Sequence, residues 1–322
     1  MARRRMPIWR RSLRAAFRRG VVLVFAWCLA NGSGGFAGDD DRIPDDIVVM
    51  YNLQYREGAS ASWKLDLAMP KEPVRTPRPA IVVIHGGGWI EGSRSSFSRA
   101  QDRRPGHIVD FANLGFVAVS IDYRLAKESP FPAAIQDCKC AVRWLRANSK
   151  KYQIDPERIG ACGNSAGGHL ALMLGMVDKS ADMEGDGPHQ EQSSMVQAVV
   201  SDSGPIDLLH QYQHEQVHKA IESFLGGPPE GTRATEYRRA SPATYISAKT
   251  PPLMLIYGAV DTQVGVETAD RFVEVLGRAG AKDISYYRLG TADHCPYSMV
   301  RVPWLVPAVN EFFVRTLRLQ RF

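Results

Sequence analysis

The strongest constraint on this chain lies in Ile159-Gly160-Ala161-Cys162-Gly163-Asn164-Ser165-Ala166-Gly167-Gly168-His169-Leu170. An apolar run leads into a G-x-S-x-G pentapeptide, and a helical pattern leads out of it. The spacing predicts a strand from Arg158 to Gly163, a sharp turn at Ser165 and a helix from Ala166 to Met176. A serine held on such a turn points its hydroxyl out of the backbone. Glycines at 163 and 167 remove the Cβ atoms that would collide as the turn closes. The helix N-terminus then aims free N–H groups at any anion forming beside the serine.

A second glycine turn stands upstream. The β-branched run Ala80-Ile81-Val82-Val83-Ile84 breaks directly into His85-Gly86-Gly87-Gly88-Trp89. Three successive glycines bring bare backbone N–H groups within reach of a substrate oxygen, as an oxyanion hole requires. A nucleotide-phosphate cradle needs a following Lys-Ser/Thr or G-x-G-x-x-G spacing, and neither is present.

A nucleophilic serine needs a base, and the base needs a group to orient it. Leu253 to Tyr257 reads as a buried strand ending in Gly258-Ala259-Val260-Asp261. Ile284 to Leu289 is a strand followed by Gly290-Thr291-Ala292-Asp293-His294. Both polar residues fall just past strand carboxyl ends, where open α/β sheets bind ligands. The chain order Ser165, Asp261, His294 fits nucleophile, acid and base. Asp202, after the apolar run Val196 to Val200, is the competing acid. Asp293 stands too near His294 in sequence to reach its outer nitrogen. His85 braces the glycine turn, and His169 packs one helical turn past Ser165. His210, His214 and His218 recur every fourth residue, as on the exposed face of one helix; no neighbouring ligands complete a metal site.

These segments, with Asp122-Tyr123-Arg124-Leu125-Ala126 and Pro130-Phe131-Pro132-Ala133-Ala134, resemble the α/β-hydrolase esterases of the hormone-sensitive-lipase and acetyl-/feruloyl-esterase (BD-FAE-like) type, from about Ile47 to the C-terminus. The resemblance implies Ser165 as nucleophile, His294 as base and Asp261 as its orienter. It implies oxyanion donors at Gly87, Gly88 and Ala166, with Gly86 as the alternative if the loop is shifted by one residue. It implies no metal or cofactor. Asn164, Ala126-Lys127-Glu128-Ser129 and Cys295 depart from the usual pattern at positions that bear on substrate choice.

The rest of the chain alternates short apolar strands with helical patterns. This predicts a mostly parallel eight-stranded sheet with helices on both faces in one α/β domain, residues 38–322. Asp46 to Arg56 and Trp63 to Met69 alternate as edge antiparallel strands do. Asp178 to Ser194 reads as an exposed polar loop. Residues 204–247 interrupt the pattern, either as a small lid over Ser165 or as plain connection.

A formal charge of +6 suggests a nucleic-acid partner only until it is located. Residues 1–37 hold eight arginines and no acid, and the remaining residues carry 32 basic against 34 acidic groups, a net of −2. That basic segment leads into Val21 to Ala30, about half a bilayer span, and then into small residues ending at Ala37. This is the pattern of a bacterial export signal cleaved after Ala37. The expectation is a secreted or periplasmic protein with no stable membrane span and no nucleic-acid partner. Of the later cysteines, Cys138 and Cys140 face different sides of a helix and Cys162 ends an interior strand, so a bridge among 138, 140, 162 and 295 cannot be assigned.

The reading is a serine carboxylic-ester hydrolase acting on short acyl or aryl esters, including acetyl or feruloyl groups on polysaccharide. A serine peptidase of the same fold ordinarily needs an added gating domain, for which the chain has no room. A silent binding module has no need of Ser165, Asp261 and His294 together. Acyl length, the alcohol partner and oligomeric state are open.

Overall fold

A computed structural model describes residues 21–24, 43–99, 103–212 and 217–319. Nine strands form one sheet: β1 (Val21–Val24), β2 (Ile47–Gln54), β3 (Lys64–Pro70), β4 (Arg78–Ile84), β5 (Val117–Ile121), β6 (Ile154–Asn164), β7 (Ala198–Asp202), β8 (Leu253–Gly258) and β9 (Ile284–Leu289). Their order is β1-β9-β8-β7-β6-β4-β5-β3-β2. Antiparallel pairing is confined to β2–β3 and β3–β5, as the alternating patterns predict. The α/β-hydrolase arrangement expected from sequence is therefore present.

The central strands read as continuous apolar runs because both faces are covered. In β4, Ala80, Val82 and Ile84 enter one core cluster, while Ile81 and Val83 enter the other. The first cluster packs under helices Ala133–Ala147, Ala166–Met176 and Val266–Ala279. The second packs under Ile108–Asn113 and Leu305–Thr316. Each fully buried Val or Ile contributes roughly 2 kcal/mol, so the strand order, and with it the position of each strand's carboxyl end, is strongly specified.

Four expectations change. The eight expected strands gain a ninth, β1, made by the first residues of the apolar stretch Val21 to Ala30; it pairs in parallel with β9 at the sheet edge. The cleavage position at Ala37 lies outside the described residues. The strand expected over Val196 to Val200 runs instead from Ala198 to Asp202, so Asp202 pairs with Asn164 inside the sheet. An acid tolerates that position because backbone and hydroxyl donors meet its carboxylate.

The histidine repeat does not mark one helix. His210 lies in Leu208–Gln211, a short helix capped by Asp207, whereas His218 opens His218–Leu225. His214 is outside the described residues. Finally, the polar segment from Asp178 to Ser194 is anchored, not merely exposed. Glu184 accepts from buried Lys139 at 2.8 Å, from Arg143 at 2.6 Å and from Ser194 at 2.8 Å, and Met183 is buried. Cys138, Cys140, Cys162 and Cys295 are buried free thiols. No described helix is long and apolar enough to cross a membrane.

Candidate active site

Ser165 sits where β6 ends and the Ala166–Met176 helix begins, at φ 50° and ψ −122°. A non-glycine residue holds this unfavourable conformation only when its surroundings over-determine it. Here they do. A Cβ on Gly163 would lie 2.3 Å from the Gly167 carbonyl oxygen, and one on Gly167 would lie 2.1 Å from that of Ile84. The Ser165 N–H donates to the Asp202 carbonyl at 2.8 Å, pinning the turn to β7.

The second polar pair forms where the loops after β8 and β9 meet. His294 Nδ1 lies 2.7 Å from Asp261 Oδ2, with both side chains buried. A carboxylate only accepts, so the proton is on Nδ1 and the Nε2 lone pair of the neutral ring is left to act as a base. Asp261 Oδ1 also accepts from the N–H groups of Gln263 and Val264, each at 2.9 Å. Burial alone raises this carboxyl's pKa, but His294 and the two N–H groups outweigh it and the net direction is down. Gly258 makes the meeting of the loops possible, since its Cβ would lie 2.2 Å from the Ala292 carbonyl oxygen.

The competing acids are engaged elsewhere. Asp293 accepts from the His294 backbone N–H at 2.8 Å, not from the ring. Asp202 accepts from Ser298 Oγ at 2.7 Å, Ser298 N–H at 2.9 Å and Tyr297 N–H at 3.2 Å. Burial pushes the Asp202 pKa up to about 6 against those bonds. Its carboxylate therefore holds the segment just after His294, a role that sequence order did not signal.

The glycine turn is braced on two sides. The Gly86 N–H donates to Asn164 Oδ1 at 2.9 Å, so it is already spent and the alternative oxyanion assignment at Gly86 falls away. Gly87 and Gly88 have φ of +102° and +58°, and a Cβ on Gly87 would lie 2.3 Å from the Glu91 carbonyl oxygen. Among the described residues, the N–H groups of Gly87, Gly88 and Ala166 donate to no other residue. His85 stacks on Tyr123 at 4.4 Å and binds the Gly86 carbonyl through Nδ1 at 2.8 Å, the bracing role expected of it.

His169 joins the turn to the segment above. Trp89 Nε1–H donates to its Nδ1 at 3.2 Å, which leaves Nε2–H to donate to the Ala240 carbonyl at 2.7 Å. Burial pushes the ring's pKa down to about 4, so it stays neutral in this bridge. Ser165, His294, Gly87, Gly88 and Ala166 all line one cleft of about 400 Å³. Val217, Ala220 and Ile221 of residues 204–247 line it too, and Ala220 comes within 3.2 Å of a Cβ built on Gly88. That segment is thus part of the cleft wall, whether or not it moves. Among the described residues, no group of three or more His, Cys, Asp or Glu residues is arranged to hold a metal ion.

Residues 65–276 match the BD-FAE family. The chain belongs to that family. Several similar proteins are esterases or carboxylic ester hydrolases by name. The chain is 31% identical over 237 residues to "Esterase LipC" of Mycobacterium tuberculosis, a match covering 71% of this chain and 56% of LipC. The match spans a little over half the length of LipC and of the similar mycobacterial proteins LipM and LipQ. Among solved structures, it is similar to a truncated carbohydrate esterase from gut microbiota, with a TM-score of 0.72 and 26% identity, covering 84% of this chain and 96% of that one. It also resembles a propionate-bound thermophilic esterase of the planctomycete Thermogutta terrifontis, with a TM-score of 0.67 and 25% identity, covering 86% and 97%.

Proposed function

We propose that this BD-FAE member is an exported serine carboxylic-ester hydrolase working through an acyl-enzyme. The observation that carries the reading is the 2.7 Å bond between His294 Nδ1 and Asp261, in the same cleft as a serine on a strained elbow. His294 Nε2 takes the Ser165 proton as Oγ attacks the ester carbonyl. The resulting oxyanion receives N–H bonds from Gly87, Gly88 and Ala166, each worth roughly 3 kcal/mol by analogy with measured oxyanion donors. The imidazolium, steadied by Asp261, returns its proton to the leaving alkoxide, and the alcohol departs. Water then repeats the sequence on the acyl-serine and releases the acid.

Short acyl groups and a carbohydrate-linked alcohol are the favoured substrate class. The similar carbohydrate esterase and propionate-bound esterase structures support that choice. Export is supported by the arginine-rich leader and the apolar stretch after it. Among the described residues, loss of 1–37 removes only edge strand β1 and leaves β9 paired with β8.

Hydrolysis of p-nitrophenyl acetate by the chain from Gly38 onward, beside Ser165→Ala, tests the reading. Wild-type turnover that falls by roughly 10⁴-fold or more in the variant is expected. Equal rates in the two proteins would remove Ser165 from the mechanism.

A further inference from the structure

The turn that offers the proposed oxyanion donors is held by a residue that is itself strained. Gly87, Gly88 and Trp89 all have positive φ, at 102°, 58° and 60°. Gly87 and Gly88 have no side chains to fix them, so the conformation of the turn is set by its neighbours. A tryptophan in the left-handed region persists only when its surroundings over-determine it. Trp89 is buried, and its carbonyl accepts from the Ala126 N–H at 2.8 Å. Its other two anchors lead into residues 204–247. Its ring stacks on Phe224, with centroids 4.4 Å apart and planes at 10°. Its Nε1–H donates to His169 Nδ1 at 3.2 Å, and His169 Nε2–H donates to the Ala240 carbonyl at 2.7 Å.

Phe224 is a fixed point. It is buried in helix His218–Leu225, its carbonyl accepts from the Phe131 N–H at 2.7 Å, and its ring meets Phe131 edge-on at 5.6 Å. Ala220 of the same helix lies against Gly88. Phe224, His169 and Ala240 do not line the cleft, so they do not touch an occupant of it. We propose that residues 204–247 set the geometry of the oxyanion donors: Phe224 and the His169–Ala240 bridge hold Trp89, and Trp89 is the positioning residue that holds Gly87 and Gly88. This rests on the ester-hydrolase reading and gives the segment a part in the chemical step beyond walling the cleft. Donors held in advance stabilise the charge that develops in the transition state and do little for the bound ester.

Single-turnover hydrolysis of p-nitrophenyl acetate, with enzyme in excess, separates the acylation rate constant from the ester's dissociation constant. Phe224→Leu keeps the segment apolar but removes the stacking face. Its acylation rate constant should fall about tenfold while the dissociation constant stays within about twofold of wild type. Trp89→Phe, which keeps a ring against Phe224 and loses the N–H to His169, should fall about fivefold. A part in the cleft wall alone would show the opposite split, weaker binding at an unchanged rate. Phe224→Met replaces the Leu variant if that protein does not fold. An acylation rate constant within about twofold of wild type, in Trp89→Phe or in the folded Phe224 variant, overturns the proposal. So does a loss carried by the dissociation constant. Failure of the underlying reading is distinguishable, because it shows as p-nitrophenyl acetate turnover that Ser165→Ala does not abolish.

Discussion

Two carboxylates stand at neighbouring strand ends and do opposite things. Asp261, past the end of β8, is held ionised by His294 and two backbone N–H groups, and its pKa moves down. Asp202, the last residue of β7, is met by Ser298 and the Tyr297 N–H, but complete burial wins and its pKa rises to about 6. Both side chains are hidden from solvent; what differs is the partner. The His294 ring lowers the Asp261 pKa, whereas amide and hydroxyl dipoles do not outweigh the burial of Asp202. One acid holds the His294 ring, and the other holds the segment following it. A chain-order rule picks the first and is silent about the second.

Breaking the pair at Asp261 should have the largest effect. Asp261→Asn offers His294 an amide that can favour the wrong tautomer, and kcat for p-nitrophenyl acetate should fall by roughly 10⁴-fold, as in measured triads. The melting temperature should change far less than that loss suggests. Asp202→Asn should reduce kcat by less than about tenfold, because it touches no reacting atom. A comparable loss in both variants would erase the division of labour.

Stability against pH sharpens the same contrast. A carboxyl with a raised folded pKa costs stability once ionised. The cost is absent below the unfolded value near 4 and appears as the pH rises through about 6. Urea unfolding at pH 5 and pH 7 should therefore show Asp202→Asn gaining on the wild type by about 1 kcal/mol at the higher pH. Parallel shifts of the two proteins would contradict the burial account. Asp261 works in the opposite sense, since its depressed pKa adds stability that is lost as pH falls below the ordinary carboxylate value. The smallest effect is expected from Ser298→Ala. Removing one of three donors to Asp202 should cost about 1 kcal/mol or less in urea unfolding and raise the Asp202 pKa further, while Asp261 is unaffected.

Sequence revealed most where the backbone itself demands a residue type. Gly163, Gly167, Gly87 and Gly258 occupy positions where a Cβ would meet a carbonyl at 2.1–2.3 Å, so the motifs around them mark real geometric needs. The same logic made the elbow, the glycine turn and the loop ends at Asp261 and His294 legible. Contacts between distant segments were not. Asp202 and Ser298 are 96 residues apart, and neither belongs to a local pattern. Gln211 and Thr268, which share a hydrogen bond at 3.2 Å, are 57 residues apart. The fourfold spacing of His210, His214 and His218 imitates a helix face, but tertiary packing divides that stretch between two helices. Glu184 lies in a polar, acidic segment and looks solvent-exposed until the buried Lys139 and Arg143 are brought to it.

On the proposed mechanism, Ser165 is the nucleophile that His294 and Asp261 activate. That role is tested most directly with an alkyl p-nitrophenyl phosphonate, which transfers its phosphorus to an activated serine and releases p-nitrophenol. Peptide mass spectrometry then locates the label. Phosphonylation of Ser165 is expected in step with loss of esterase activity, with little labelling of Asp261→Asn over the same time. Inactivation with the label on another residue, Cys295 included, or full activity with Ser165 labelled, would contradict it.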